Sequence, residues 1–220
     1  MSDLKRKVQK QFASGELEDS PTLKYSVDSL DISTFEMLAS SPCMMCNRST
    51  HRTRRGYRNI GLLKRNLGYV RSNVIPLCDL CHRTRKGMSR NEFFNFAKRI
   101  IAYQDGVRPL PIRRRYLKPV RIAKRYDKKS ICSRQRQRAR NVCPDTDMSL
   151  TCDDILNIVQ KPCYFCGVVK DPRGLDRISS KGCYTLGNVL PCCYQCNVSK
   201  SILTPSKFVK HMRRVYDAYS

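Results

Sequence analysis

Pro162-Cys163-Tyr164-Phe165-Cys166-Gly167 and Asn188-Val189-Leu190-Pro191-Cys192-Cys193-Tyr194-Gln195-Cys196-Asn197 decide how this chain is read. Each stretch holds a Cys-x-x-Cys pair, and each has an earlier counterpart. These are Pro42-Cys43-Met44-Met45-Cys46 and Asn73-Val74-Ile75-Pro76-Leu77-Cys78-Asp79-Leu80-Cys81. Subtracting 120 carries Cys163 and Cys166 onto Cys43 and Cys46, and subtracting 115 carries Asn188, Cys193 and Cys196 onto Asn73, Cys78 and Cys81. The offsets differ by five, so one short length change inside the loop separates two copies of a single unit. Two such pairs brought together place four thiolates at the corners of a tetrahedron, the donor set of a closed structural zinc site. The expected cofactors are therefore two structural zinc ions, at Cys43/Cys46/Cys78/Cys81 and Cys163/Cys166/Cys193/Cys196.

The repeat extends beyond the cysteines. Leu30-Asp31-Ile32-Ser33 opens a helical pattern carrying Phe35, Met37 and Leu38. Its counterpart is Leu150-Thr151-Cys152-Asp153-Asp154, followed by Ile155, Leu156, Ile158 and Val159. Thr151 and Asp154 have the spacing of a capping box. Both helices run into a Pro-Cys step. After the first pair, each copy predicts two short strands around a glycine-containing turn: Gly174–Ile178 and Asn188–Pro191 around Lys181-Gly182, and 60–63 and 73–76 around Gly68-Tyr69. The second pair then opens a helix. Phe93, Phe94, Phe96, Ala97, Ile100 and Ile101, and later Phe208, Val209, Met212, Val215 and Tyr216, recur at helical spacing and read as core faces.

The expected organisation is a polar arm over 1–22, a first module over 23–104, an Arg/Lys-rich linker over 105–141 and a second module over 142–220. Modules of this size bury too little apolar surface to be secure alone, so a metal staple would belong to their folding. The N-terminus lacks the apolar stretch of a signal peptide, and the chain lacks the run of about 18 apolar residues that spans a bilayer. With 13 cysteines, the chain is expected to be an intracellular protein of a reducing compartment, neither secreted nor bound to membranes.

Charge narrows the partner. The net charge is +25, and between Cys43 and Arg140 the only acids are Asp79, Glu92, Asp105 and Asp127. The linker concentrates Arg113, Arg114, Arg115, Arg134, Arg136, Arg138 and Arg140, while the loop after the first cysteine pair carries Arg52, Arg54, Arg55 and Arg58 beside His51. Such density is a footprint for a polyanion, with nucleic acid ahead of lipid headgroups because no stretch has the apolar face membrane binding needs.

A ββα unit with one Cys-x-x-Cys before the hairpin and another at the helix start resembles the zinc-stapled HNH (His-Me finger) endonucleases. Similar proteins occur in phages and large DNA viruses. The resemblance covers residues 144–216 most closely and the first copy as a degenerate version. It implies an α+β fold: two tandem ββα modules of the HNH or treble-clef kind, each with an entry helix. It also implies that Asp176 holds a catalytic Mg2+ or Mn2+, that Asn188 orients the general base and that Asn197 occupies the metal-binding helix position. The base position holds Arg177, which stays protonated and serves better as a phosphate clamp. In the first copy Gly61 and Leu62 replace the Asp-His pair, while His82 and Asn73 persist. Plain structural roles stand beside these: Asp176 accepting turn amides, Asn188 holding the hairpin, His82 opening a helix and His211 packing on the last one.

Five cysteines remain. Cys132, Cys143, Cys152, Cys183 and Cys192 are expected to be core thiols, a further metal site from Cys132, Cys143 and Cys152 being the less favoured alternative. The function expected is a nucleic-acid-binding protein with weakened or lost nuclease activity, DNA ahead of RNA. An active HNH endonuclease cutting through the second module and an RNA-binding accessory subunit of a ribonucleoprotein such as a ribosome are the alternatives.

Overall fold

The computed structural model describes residues 32–49, 59–63, 67, 71–107, 128–143, 150–169 and 173–219. The arm over 1–22, the arginines at 52, 54, 55 and 58, those at 113–115 and His51 lie outside the described residues. In chain order the elements are α1 (Ile32–Ser40), β1 (Asn59–Leu62), β2 (Val74–Leu77), α2 (Asp79–Arg85), α3 (Arg90–Gln104) and α4 (Lys128–Val142). They continue with α5 (Cys152–Gln160), β3 (Arg173–Arg177), β4 (Val189–Cys193), α6 (Tyr194–Lys200) and α7 (Pro205–Asp217). The result is a mixed α/β chain with two small antiparallel sheets. β1 pairs with β2 from Asn59↔Leu77 to Leu62↔Val74, and β3 with β4 from Arg173↔Cys193 to Arg177↔Val189.

The repeat is carried into three dimensions. Subtracting 120 takes the α5 start, Cys152, to the α1 start, Ile32, and subtracting 115 takes the α6 span 194–200 to the α2 span 79–85. Local hydrogen bonds recur with the elements. Met44 N donates to Pro76 O at 2.9 Å and Tyr164 N to Pro191 O at 2.9 Å, so each cysteine turn is tied to its hairpin through a proline carbonyl. Proline is tolerated there because a two-stranded sheet leaves its nitrogen side unpaired. Asn47 and Gly167 close the turns with φ of 47° and 68°, a left-handed backbone suited to those two residue types. The helix after the second pair stops at equivalent positions too, with Lys86 at φ 50° and Ser201 at φ 52°.

The chain divides into a unit of residues 1–94 with 217–220 and a unit of residues 95–216. In the first, Met45, Val74, Ile75, Leu77 and Phe93 are buried, as are the four cysteines. Tyr219 stacks on Phe94 with ring centroids 4.9 Å apart. In the second, Leu150, Ile155, Val159, Leu175 and Val189 form a cluster with Ile131, Ile158 and Tyr184 against it. Phe165 meets Phe208 edge-on at 5.1 Å, and Phe96 lies 6.4 Å from Phe208. The Thr151/Asp154 capping box forms as its spacing predicts. Met37, carried by the α1 pattern, is more than half exposed.

The basic segment is not linker throughout. From Lys128 to Val142 it is helical, with Cys132, Gln135 and Ala139 buried at helical spacing and Ile131 against the second unit's core. Like charge alone argues for a solvated chain, and the apolar stripe between the arginines overrides it.

Candidate metal centres and the closed acidic site

Each cysteine group assembles from a turn before the hairpin and the start of the helix after it. Cys78 and Cys193 sit at the caps of α2 and α6, where their sulfurs accept the amides of Cys81 at 3.4 Å and Cys196 at 3.5 Å. All eight cysteines are buried, and within each group the sulfurs lie within 4.8 Å of one another. Cys46 and Cys78 sulfurs are 3.7 Å apart, and Cys166 and Cys193 sulfurs 3.8 Å. A tetrahedron with zinc–sulfur arms of about 2.3 Å has edges of about 3.8 Å. Both groups could therefore hold a metal ion, and donor set and spacing suit zinc.

The electrostatics point the same way. Cys43 is held far below the ordinary thiol range by the thiols of Cys46, Cys78 and Cys81, while Cys81 is pushed far above it by Cys43, Cys46 and Cys78. In the second group Cys163 is pulled down by Cys166, Cys192, Cys193 and Cys196, and burial pushes Cys196 up. Sulfurs this close share protons because four adjacent thiolates repel. A divalent cation is what lets all four ionise together.

Asp176 is placed differently. It is 5 % exposed on β3, and the Lys200 ammonium at the end of α6 lies 3.2 Å from its carboxylate. Lys200 is itself 1 % exposed. Burial lifts Asp176 to about 6, and the attraction of Lys200 works against that rise. The carboxylate thus faces a buried cation, although its Oδ2 accepts no hydrogen bond.

Asn188 and Arg177 bond within the hairpin. Asn188 accepts from Ser179 N at 2.8 Å and donates to Ser179 O at 3.1 Å and Cys183 O at 2.8 Å. Arg177 donates to Gly182 O at 2.7 Å, and its guanidinium lies 5.3 Å from the centre of the Tyr184 ring. Asn197 is half-buried on α6, where its carbonyl accepts the amide of Ser201. In the first copy His82 is exposed on α2 and Asn73 is buried. His211, on α7, is buried.

Four of the five remaining cysteines are not core thiols, and Cys132, Cys143 and Cys152 do not gather into a metal site. Cys132 is disulfide-bonded to Cys152, and Cys143 to Cys183. Cys132, in α4, and Cys143, just past its end, are eleven residues apart, about 16 Å at 1.5 Å per residue, too far to share an ion. Cys192 is a buried thiol as expected.

Lys200 escaped the sequence reading, although the offset of 115 carries it onto Arg85, also buried and basic. Arg85 donates to Leu62 O on β1. A cation in the last turn of each short helix was the available signal.

Among curated proteins, an uncharacterized protein of Acanthamoeba polyphaga mimivirus is 24% identical over 169 residues, covering 76% of this chain. The matched region spans 29% of that protein's length. No family model matches the chain, and no solved structure matches it.

Proposed function

We propose that this chain is a nucleic-acid-binding protein built on two zinc-stapled modules of HNH-like design, with nuclease chemistry lost. The observation carrying the binding is α4. Lys129, Arg134, Arg136, Arg138 and Arg140 are exposed along one ordered helix that contains no acidic residue. A helix of this kind offers phosphate contacts at fixed spacing, and such contacts set affinity and register without reading sequence. The cysteine spacing and hairpin-helix order support the HNH-like design.

Loss of the nuclease is supported by the same residues that suggested one. Asp176 is paired with Lys200, Asn188 is spent on the hairpin, and Arg177 holds the Gly182 carbonyl. Metal-assisted hydrolysis needs a metal ligand beside a general base, and here Lys200 faces Asp176 while Arg177, at the base position, stays protonated. DNA is the favoured target.

The test is a salt titration of binding to a mixed-sequence duplex. Replacing Arg134, Arg136, Arg138 and Arg140 by Ala should lower affinity for unrelated sequences alike. It should flatten the salt dependence by roughly 0.7–0.9 log units per lost phosphate contact. An unchanged slope would remove α4 from the interface. Supercoiled plasmid with Mg2+ or Mn2+ should remain uncut, and Arg177→His should not restore cutting while Lys200 holds Asp176.

A further inference from the structure

We propose that Cys132–Cys152 and Cys143–Cys183 form a thiol-operated clasp on α4. Closed, it holds the arginines of α4 as a rigid set of phosphate contacts. Reduced, it releases the helix and weakens binding to phosphodiester backbones. The coupling to binding rests on the nucleic-acid reading above; the clasp itself does not.

The two bonds grip α4 at opposite ends. Cys132 lies in its second turn and joins the first residue of α5, while Cys143 follows its last residue and joins the loop between β3 and β4. Both anchors are fixed independently of α4. The α5 start is held by the Thr151/Asp154 capping box, and the loop by the bonds from Asn188 to Ser179 and Cys183.

Between the clips, the stripe that the helix buries is small. Its buried stripe is Cys132, Gln135 and Ala139, with Ile131 beside it, and the Gln135 Oε1 has no hydrogen-bond partner. On one flank of that stripe Arg134 lies one turn from Arg138, and on the other Arg136 from Arg140, a like-charge spacing that opposes helix formation. Small apolar burial and self-repulsion leave a helix that depends on its cross-links.

Chemically the opening is thiol–disulfide exchange with an external dithiol. Its thiolate attacks one sulfur of Cys143–Cys183, both residues being partly exposed, and expels the other as a thiolate. The second thiol of the reagent then displaces the protein sulfur from the mixed disulfide. Two electrons and two protons pass to the protein, which gains two thiols, and the reagent leaves as a cyclic disulfide. Cys132–Cys152 follows by the same exchange once the end of α4 is free. The eight cysteines of the tetrads stay outside this chemistry while they hold metal.

The experiment uses the full metal-loaded chain, oxidised and then treated with dithiothreitol, with metal content followed throughout. Peptide mapping without reductant should recover both links; failure to find them would overturn the clasp. Amide hydrogen exchange over 128–142 should speed up about 30-fold or more on reduction, as expected for losing cross-links of this loop size, while peptides of the tetrads stay protected. Unchanged exchange in α4 would overturn the proposal. The variant Cys132→Ser/Cys143→Ser/Cys152→Ser/Cys183→Ser should match the reduced protein without reductant. It thus separates the clasp from any action of the reagent on bound metal. Affinity for a mixed-sequence duplex should drop about tenfold or more when the clasp opens, because the ordering of α4 must then be supplied by binding. Faster exchange with unchanged affinity would overturn the coupling. Absence of binding in both states would instead sink the nucleic-acid reading, leaving the exchange data to judge the clasp.

Discussion

The two copies share a frame and differ at one spot beside it. In the second, β3 carries Asp176, and the cation at the end of α6, Lys200, closes on its carboxylate. In the first, the equivalent strand position is Gly61, and the equivalent cation, Arg85, donates to the Leu62 carbonyl instead. Volume explains the exchange. A Cβ on Gly61 would collide with Leu77 Cδ1, so the leucine fills the room an aspartate would need. The offset of 115 places Cys192 where the first copy has Leu77. The smaller side chain leaves room, and Cys192 lies close enough for the Asp176 charge to add to the burial that raises its thiol. Each copy thus keeps a buried cation against the strand and changes what that cation meets.

The largest expected effect tests the shared frame. Removing metal with a chelator should unfold both units, since structural zinc contributes apparent free energies of about 10–16 kcal/mol per site. Circular dichroism with parallel metal analysis reads the outcome. Two metals per chain lost together with the structure keep the copies equivalent; one unit surviving would break the equivalence.

The cation pair comes next. Lys200→Met should destabilise the second unit by about 3–5 kcal/mol, because a buried carboxylate loses its partner. Arg85→Met should cost the first unit only about 1–3 kcal/mol, the loss of a bond to a neutral carbonyl. Hydrogen exchange resolved by unit measures both. Equal losses would mean that Asp176 is not the source of the difference.

The pH dependence sharpens the same point. Asp176 stands at about 6 in the folded chain against an ordinary value of 3.8, so folding favours its protonated form. That contribution is complete below the unfolded value and fades as pH rises from about 4 through 6. Metal-saturated Lys200→Met should lose second-unit stability more steeply and to higher pH, whereas Asp176→Asn/Lys200→Met should lose this dependence. A flat profile in Lys200→Met would show that solvent reaches the carboxylate.

A smaller effect concerns volume. Gly61→Ala should cost the first unit about 1–3 kcal/mol through overpacking, and Leu77→Cys should relieve part of that cost when combined with it. Additive losses in the denaturation midpoint of that unit would reject the volume argument. The smallest change is at the turns. Gly167→Asn, which copies the first unit's residue, should alter stability by less than about 1 kcal/mol, since both residue types accept the left-handed backbone.

The sequence by itself determined the repeat, both cysteine tetrads, the hairpins and their flanking helices. These follow from local rules: ligand spacing, the Thr151/Asp154 cap and the apolar periodicity around Phe93 and Phe208 are readable within a few residues. Asn188 as a hairpin residue was also legible, as one of two readings that only its bonds to Ser179 and Cys183 separate. The extent of α4 was half legible, because the run of arginines hid the stripe of Cys132, Gln135 and Ala139. Only the tertiary structure decided that Lys200 closes Asp176, that Leu77 fills the place of a side chain at Gly61, and that Cys132 pairs with Cys152 and Cys143 with Cys183. Such contacts join residues far apart along the chain. Ion pairs, disulfides and packing depend on which side chains approach within a few ångströms, and no local spacing encodes that distance.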